Sequence, residues 1–393
     1  MTRGWVAGLL LFAASIPARA DAPDSYDRIV PALMKKWDVN GGAVAVSREG
    51  KLLLARGYGL ADVEAQEPVK PTSLFRIASL SKAITATAIL RLVERGRLKL
   101  DDKVFDALED LKPSDGFADP RLGVITIRQL LQHSGGWDRD ASFDPMFEGG
   151  RISKALGLPG PPDADDVARY MTGMPLQFAP GTRYAYSNFG YLLLGRVIEK
   201  LSGQSYGSYV RANVLKPAGA GCMRLGRTAL YDRAPGEVRY YSSEGRDPNG
   251  DWSIEAMDSH GGWLASAVDL LRFVDSIEGA GKLPRLLTPE SVAAMTARPA
   301  PPLWIGSDHW YGMGWEVRAA PGGFNWWHTG SLDGTTTLMV RAGNGFSWVA
   351  LFNGRPKDKD GFAAELDREM WRAFKEAGRG LDGDHFADFP PCR

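Results

Sequence analysis

Apolar and polar positions recur with a helical period from Tyr26 to Trp37, which predicts an amphipathic opening helix. Two β-like runs follow, Ala43 to Ser47 and Lys51 to Tyr58, and Arg48-Glu49-Gly50 between them reads as a hairpin turn. From about Ser79 to Arg95 the chain is rich in Ala, Ile and Leu on nearly all sides, which predicts a long buried helix stopped by Gly96. Helical periods return over Thr126 to Gln132, Ala164 to Thr172, Phe189 to Leu201 and Tyr206 to Val214, separated by Pro- and Gly-rich loops at 155–163 and 232–251. Ser266 followed by Asp269 resembles a capping box opening a helix to Ile277, and Thr288-Pro289 opens a short one. The pattern then turns β-like over Tyr311 to Arg318, Phe324 to His328, Thr335 to Arg341 and Phe346 to Phe352, before an amphipathic closing helix, Phe362 to Glu376. Strands at both ends with helices between predict a mixed α/β (α+β) fold. Its antiparallel sheet comes from both termini and is flanked by helices, with a mainly helical region inserted at roughly residues 80–265.

The first twenty residues fall outside this scheme. Thr2-Arg3 gives a positive start, Gly4 to Ile16 is apolar, and Pro17 precedes the small-x-small tripeptide Ala18-Arg19-Ala20. This is a signal-peptide pattern cut near Ala20, with an apolar run shorter than the roughly 20 residues of a membrane-spanning helix. It predicts a secreted or periplasmic protein, residues 21–393, with no stable membrane anchor. Acidic and basic residues balance at 47 each. Loss of Arg3 and Arg19 leaves a mature charge of about −2, and without a basic block the chain is not expected to bind nucleic acid. Cys222 and Cys392 are the only cysteines. In an oxidising compartment they can pair, or they can remain a buried thiol and a loose terminal one. So few thiols and histidines make no metal site, and no cofactor is expected.

Two serines compete as nucleophile. Gly203-Gln-Ser-Tyr-Gly207 spells G-x-S-x-G, but that motif requires a sharp turn between a strand and a helix. The preceding Tyr191 to Leu201 is helical in period, so Ser202-Gly203 reads as a helix end and Ser205 as the next N-cap. Ser79 and Lys82, three apart at a helix start, share one face. A lysine amine can accept a serine proton when burial lowers its pKa toward neutrality. The Ser79 backbone N–H, at a helix start, is free to stabilise an oxyanion. Two further elements join them. Tyr186-Ser187-Asn188 lies in a loop before a helix, and His328-Thr329-Gly330 lies at the end of an expected strand. A tyrosine can pass a proton to a leaving group, an asparagine amide can hold lysine and substrate, and Gly330 lets a substrate backbone approach.

S-x-x-K, Y-x-N and [HK]-T-G in this order resemble the serine β-lactamase and penicillin-recognising hydrolase family, in its class C-like branch. Phe75-Arg-Ile-Ala-Ser-Leu-Ser-Lys82, Ile125 to Gly136 and Pro180-Gly181 add to the likeness, which covers most of the mature chain. The resemblance implies a β-lactamase/transpeptidase-like fold and a covalent acyl-enzyme on Ser79, with Lys82 and Tyr186 sharing base and acid duties. It implies that Asn188 positions Lys82 and the acyl side chain. It also implies an oxyanion hole from the backbone N–H groups of Ser79 and Ser331, with His328, Thr329 and Gly330 along the substrate.

His328 stands where typical β-lactamases carry lysine, and a mostly neutral ring weakens the attraction of a substrate carboxylate. Small esters, amides or D-amino-acid peptides therefore rank above β-lactams as substrates. A class C-type β-lactamase, or a penicillin-binding sensor with little turnover, is the alternative. The partner expected is a small molecule or short peptide. His133 is read as fixing a turn, His260 is left outside the catalytic set, and Trp137, Phe143, Phe147, Tyr240, Tyr241 and Trp252 are candidates for an apolar acyl pocket or, equally, for core or lid.

Overall fold

The opening helix α1 (Ala22–Lys36) leads into a hairpin of β1 (Gly41–Arg48) and β2 (Lys51–Asp62), closed at Glu49-Gly50, where both residues take positive φ. These elements belong to a computed structural model that describes residues 22–113, 116–243, 245–250 and 252–392; the expected leader lies outside them. A short β3 (Glu67–Pro68) edges the hairpin. The chain then enters the helical region, where α2 (Ser81–Glu94), α3 (Asn188–Ser202) and α4 (Ala267–Glu278) matter most for the site. It returns as β4 (His309–Tyr311), β5 (Glu316–Ala320), β6 (Gly323–Leu332), β7 (Thr335–Arg341) and β8 (Phe346–Phe352), and ends in α5 (Lys359–Ala377).

One antiparallel sheet joins the two ends of the chain in the order β3-β2-β1-β8-β7-β6-β5-β4. The seam is β1 against β8, with Gly42 opposite Phe352 and Arg48 opposite Phe346. Both sheet faces are covered, so strand alternation sorts one apolar set from another. Val44, Val46, Leu338, Val340 and Trp348 pack with α1 and α5, whereas Ala43, Ala45, Met339 and Val349 join the core shared with the helical region. Buried Asp275 on α4 accepts from Ser47 of β1 at 2.6 Å and Ser347 of β8 at 2.7 Å, tying the seam to the helix behind it.

Several boundaries differ from the sequence reading. The expected strand Tyr311 to Arg318 is two strands, because Gly312 to Trp315 forms a turn closed by the Gly312 N–H on Trp315 O at 2.8 Å. β6 does not stop at His328 but continues to Leu332, so His328-Thr329-Gly330 lies within a strand and not at its end. The helix expected from Ser79 begins as a 3₁₀ turn, Ala78–Leu80, before α2 proper. Ser205 caps the helix Tyr206–Val210 through the Ser208 N–H, and Gly203 ends α3 with φ +70°. Cys222 and Cys392 form a disulfide. No helix among the described residues is long and apolar enough to cross a membrane.

Candidate active site

The segment before Ser79 is sewn to the sheet by side chains of β7. Thr337 Oγ1 donates to Ile77 O at 3.0 Å, and Thr335 Oγ1 shares its proton between Arg76 O at 3.1 Å and Phe352 O at 3.0 Å. Gly330 of β6 leaves the room for this approach, since a Cβ there would stand 2.5 Å from Ile77 O and 2.2 Å from Thr337 Oγ1. Ala78 adopts φ +48°, a conformation disfavoured for a residue with a side chain, directly before Ser79. β5 pairs with β6 only as far as Trp327, so β6 from His328 onward leaves β5 and runs beside the Ser79 turn.

Lys82 is fully buried on the first turn of α2, and its Nζ has three oxygen partners. Ser79 Oγ lies at 3.1 Å, Asn188 Oδ1 at 2.7 Å and the His260 carbonyl at 3.0 Å. Burial holds the Lys82 pKa well below the usual lysine value; Asp144 works against that shift and Arg139 with it. A neutral amine has two N–H donors and one lone pair. Two acceptors, Asn188 Oδ1 and His260 O, take the donors, which leaves the lone pair for the Ser79 O–H. The Tyr186 hydroxyl is hydrogen-bonded to Ser79, and burial raises the Tyr186 pKa above that of an ordinary phenol. The arrangement can therefore take the serine proton on nitrogen and keep a neutral phenol beside the same oxygen.

The loop carrying Tyr186 is held by His133. The His133 carbonyl accepts from Ala185 N–H at 2.9 Å, and its Nδ1 accepts from Ser187 N–H at 3.1 Å. The ring sits 4.3 Å from that of Tyr186 and 4.4 Å from that of Tyr311, centroid to centroid. Ser187 caps α3 through the Gly190 N–H, which puts Asn188 at its first position. Gly195, one side of α3, allows close contact with Ser259, whose Oγ lies 2.5 Å from where a Cβ would be; this seats the His260 carbonyl over Lys82. His260 thus contributes its backbone, while its Nε2 rests 2.8 Å from Met146 Sδ.

On β6 the strand alternation divides the third motif. His328 is buried toward the helical side, with Nδ1 2.6 Å from Thr329 O and Nε2 3.0 Å from the Tyr311 hydroxyl. Burial, with Lys82 nearby, brings its pKa down to about 3, so the ring is neutral. Thr329 points the other way. With Trp327, Leu338 and Val340 it lines a separate cleft of about 250 Å³ under α5, so only its backbone lies on the Ser79 side. Ser331 shares that parity and also offers backbone rather than hydroxyl.

Sequence reasoning missed Asp144 and Arg139. Asn188 Nδ2 donates to Asp144 Oδ2 at 2.6 Å, Arg139 Nη1 lies 3.7 Å from the same oxygen, and the Arg139 guanidinium stands 4.6 Å over the Tyr186 ring. The six candidate aromatics do not form one pocket. Trp137 is core against Phe189, Tyr240 and Trp252 flank the Arg76 guanidinium, and Tyr241 bonds Glu64. Phe143 packs on Arg151, and Phe147 is half-exposed near Trp252. Beyond the Pro145-Met146 wall a cavity of about 940 Å³ is lined by Trp252, Ala229 and the 89%-exposed Tyr231. Exposed Phe147, Leu156 and Leu230 flank its lining segments.

A family model described as Beta-lactamase matches residues 26–369. Esterase EstB from Burkholderia gladioli is 36% identical over 218 residues, which cover 53% of this chain and 51% of that protein. Protein flp from Staphylococcus aureus (strain COL) is 34% identical over 197 residues, 50% of this chain and 37% of that protein. The chain thus spans about half the length of these curated relatives, or less. Among solved structures, D-amino acid amidase from Ochrobactrum anthropi, complexed with D-phenylalanine, superimposes with a TM-score of 0.72 at 22% identity, over 91% of this chain and 99% of that one.

Proposed function

The chain belongs to the β-lactamase family, and from that premise we propose that it is an exported serine hydrolase working through an acyl-enzyme on Ser79. The observation that carries the reading is the buried Lys82 amine, 3.1 Å from Ser79 Oγ with its other two partners satisfied. Lys82 takes the Ser79 proton as the hydroxyl oxygen attacks the acyl carbonyl. Tyr186, bonded to the same oxygen, hands a proton to the leaving group and is restored from Lys82. The backbone N–H groups of Ser79 and Ser331 hold the oxyanion, and water repeats the sequence to release the acid. Asn188 steadies Lys82 and the acyl side chain.

Small neutral esters, amides and D-amino-acid peptides are the substrates we favour. Neutral His328 offers no permanent positive charge to a β-lactam carboxylate. Export rests on the leader pattern of residues 1–20 and is supported by the Cys222–Cys392 disulfide.

The test is intact-protein mass spectrometry and turnover with a p-nitrophenyl ester, a D-amino-acid amide, benzylpenicillin and a chromogenic cephalosporin. Transient acylation of Ser79 with fastest turnover of the ester or amide is expected. A persistent penicillin adduct without turnover of any substrate would make the protein a sensor, and acylation elsewhere than Ser79 would overturn the assignment.

A further inference from the structure

Asn188 has to present its oxygen to Lys82, because the nitrogen there donates to Oδ1 at 2.7 Å. That orientation turns Nδ2 toward Asp144, whose Oδ2 accepts at 2.6 Å. With the amide reversed, its oxygen would face a carboxylate and its NH₂ would compete with the Ser79 O–H for the Lys82 lone pair. Asp144 therefore favours the same amide state that Lys82 does, and holds it from the other side. The carboxylate is itself fixed: its side chain is 12% exposed, Oδ1 accepts from Met146 N–H at 3.2 Å, and Arg139 lies 3.7 Å from Oδ2.

We propose that Asp144 is a positioning residue of this active site, locking the Asn188 amide with its oxygen on Lys82 and, with Arg139, setting the charge beside Ser79. The inference rests on the serine-hydrolase reading above. Three groups of side chains face Lys82. Asp144 and Arg139 come from the loop before the Pro145–Phe147 turn, the Tyr186 and Tyr191 rings come from the Y-S-N loop and α3, and the buried imidazoles of His133, His260 and His328 complete the set. Glu316 of β5 acts on Tyr186 from further away. Asp144 supplies the negative charge that favours protonated Lys82. Its removal leaves more of the lysine neutral at a given pH, so the acid limb of the rate profile moves to lower pH.

Two variants separate the hydrogen bond from the charge. Asp144→Ala removes the acceptor, whereas Asp144→Asn keeps one oxygen, which can accept from Asn188 Nδ2 while the Met146 N–H loses its partner. The readout is kcat/KM for a p-nitrophenyl ester against pH, alongside Ser79→Ala and a thermal melt of each protein. Asp144→Ala is expected to lose roughly 10- to 100-fold in plateau kcat/KM. Asp144→Asn should recover most of that loss while its acid limb lies at lower pH than in the parent. A parental plateau in Asp144→Ala, or an Asp144→Asn protein that melts normally yet falls as far as Asp144→Ala, would overturn the proposal. The two readings fail separately: turnover by Ser79→Ala refutes the serine-hydrolase site, whereas a dead Ser79→Ala beside an unaffected Asp144→Ala refutes only the role of Asp144.

Discussion

The Tyr311 hydroxyl donates to His328 Nε2 across 3.0 Å, because the other ring nitrogen is committed as donor to the Thr329 carbonyl at 2.6 Å. The imidazole is thus fixed in one neutral tautomer in the heart of the site, bonded on both sides. Burial and the nearby Lys82 oppose a second proton by more than the Thr329 carbonyl favours it.

A stability consequence follows from the sign of the shift. The unfolded chain binds a proton on His328 as pH falls through 6.5, whereas the buried ring does so only near 3. Between those values the unfolded state holds more protons, so stability rises with pH across the window and drops as the solution is acidified. His328→Gln is expected to flatten the dependence of the urea midpoint on pH over about pH 4 to 6.5. An unchanged slope would mean that the native ring is protonated.

Lys82 is buried among groups that suit an amine with a lone pair. Lys82→Arg keeps a positive charge that cannot be shed, and kcat/KM for an ester should fall by about 10²–10⁴. Steady-state kinetics above and below neutrality check this, and parental rates in the variant would remove Lys82 from proton transfer.

Ser205 has the spelling of a nucleophile and the contacts of a helix cap. Ser205→Ala should lower stability by about 1 kcal/mol and leave kcat/KM alone. Loss of turnover in a variant with a parental melt would restore Ser205 as a candidate.

Gly330 governs how closely the sheet meets the Ser79 turn. A methyl group there collides with Ile77 O and Thr337 Oγ1, so Gly330→Ala has to push β6 away from the segment carrying the nucleophile. Ester turnover should fall by roughly 100-fold for a displacement on the order of 1 Å. Activity at the parental level would show that β6 takes no part in holding the acyl group.

What could be read from the chain was whatever local chemistry decides. Helix periods located α2 and α3, Ser205 and Ser266 announced their helices through caps, and short motifs nominated Ser79, Lys82, Tyr186 and Asn188, which the fold brings together. The strand alternation that turns Thr329 away from His328 was present in the sequence, but it carried no weight while β6 was expected to end at His328. Asp144 had no such signal. It lies 44 residues before Asn188 in a Pro- and Gly-containing loop, and only the tertiary fold aims it at the amide. The aromatic set stayed undivided between pocket and core for a related reason: rings in loops say nothing about which of them face solvent, core or a guanidinium, and Trp137, Tyr240 and Trp252 prove to be core.

The seam between β1 and β8 has a consequence for how the chain acquires its shape. The hairpin is made among the first sixty or so residues, yet the strand that covers its inner edge, Phe346–Phe352, arrives almost three hundred residues later. Such long-range pairing makes sheet closure a late and slow event, and until then β1 offers a bare row of backbone groups. Ser79 sits on a turn stitched to β7, beside the last strands to arrive. The nucleophile's setting is therefore completed only when nearly all of the polypeptide is in place.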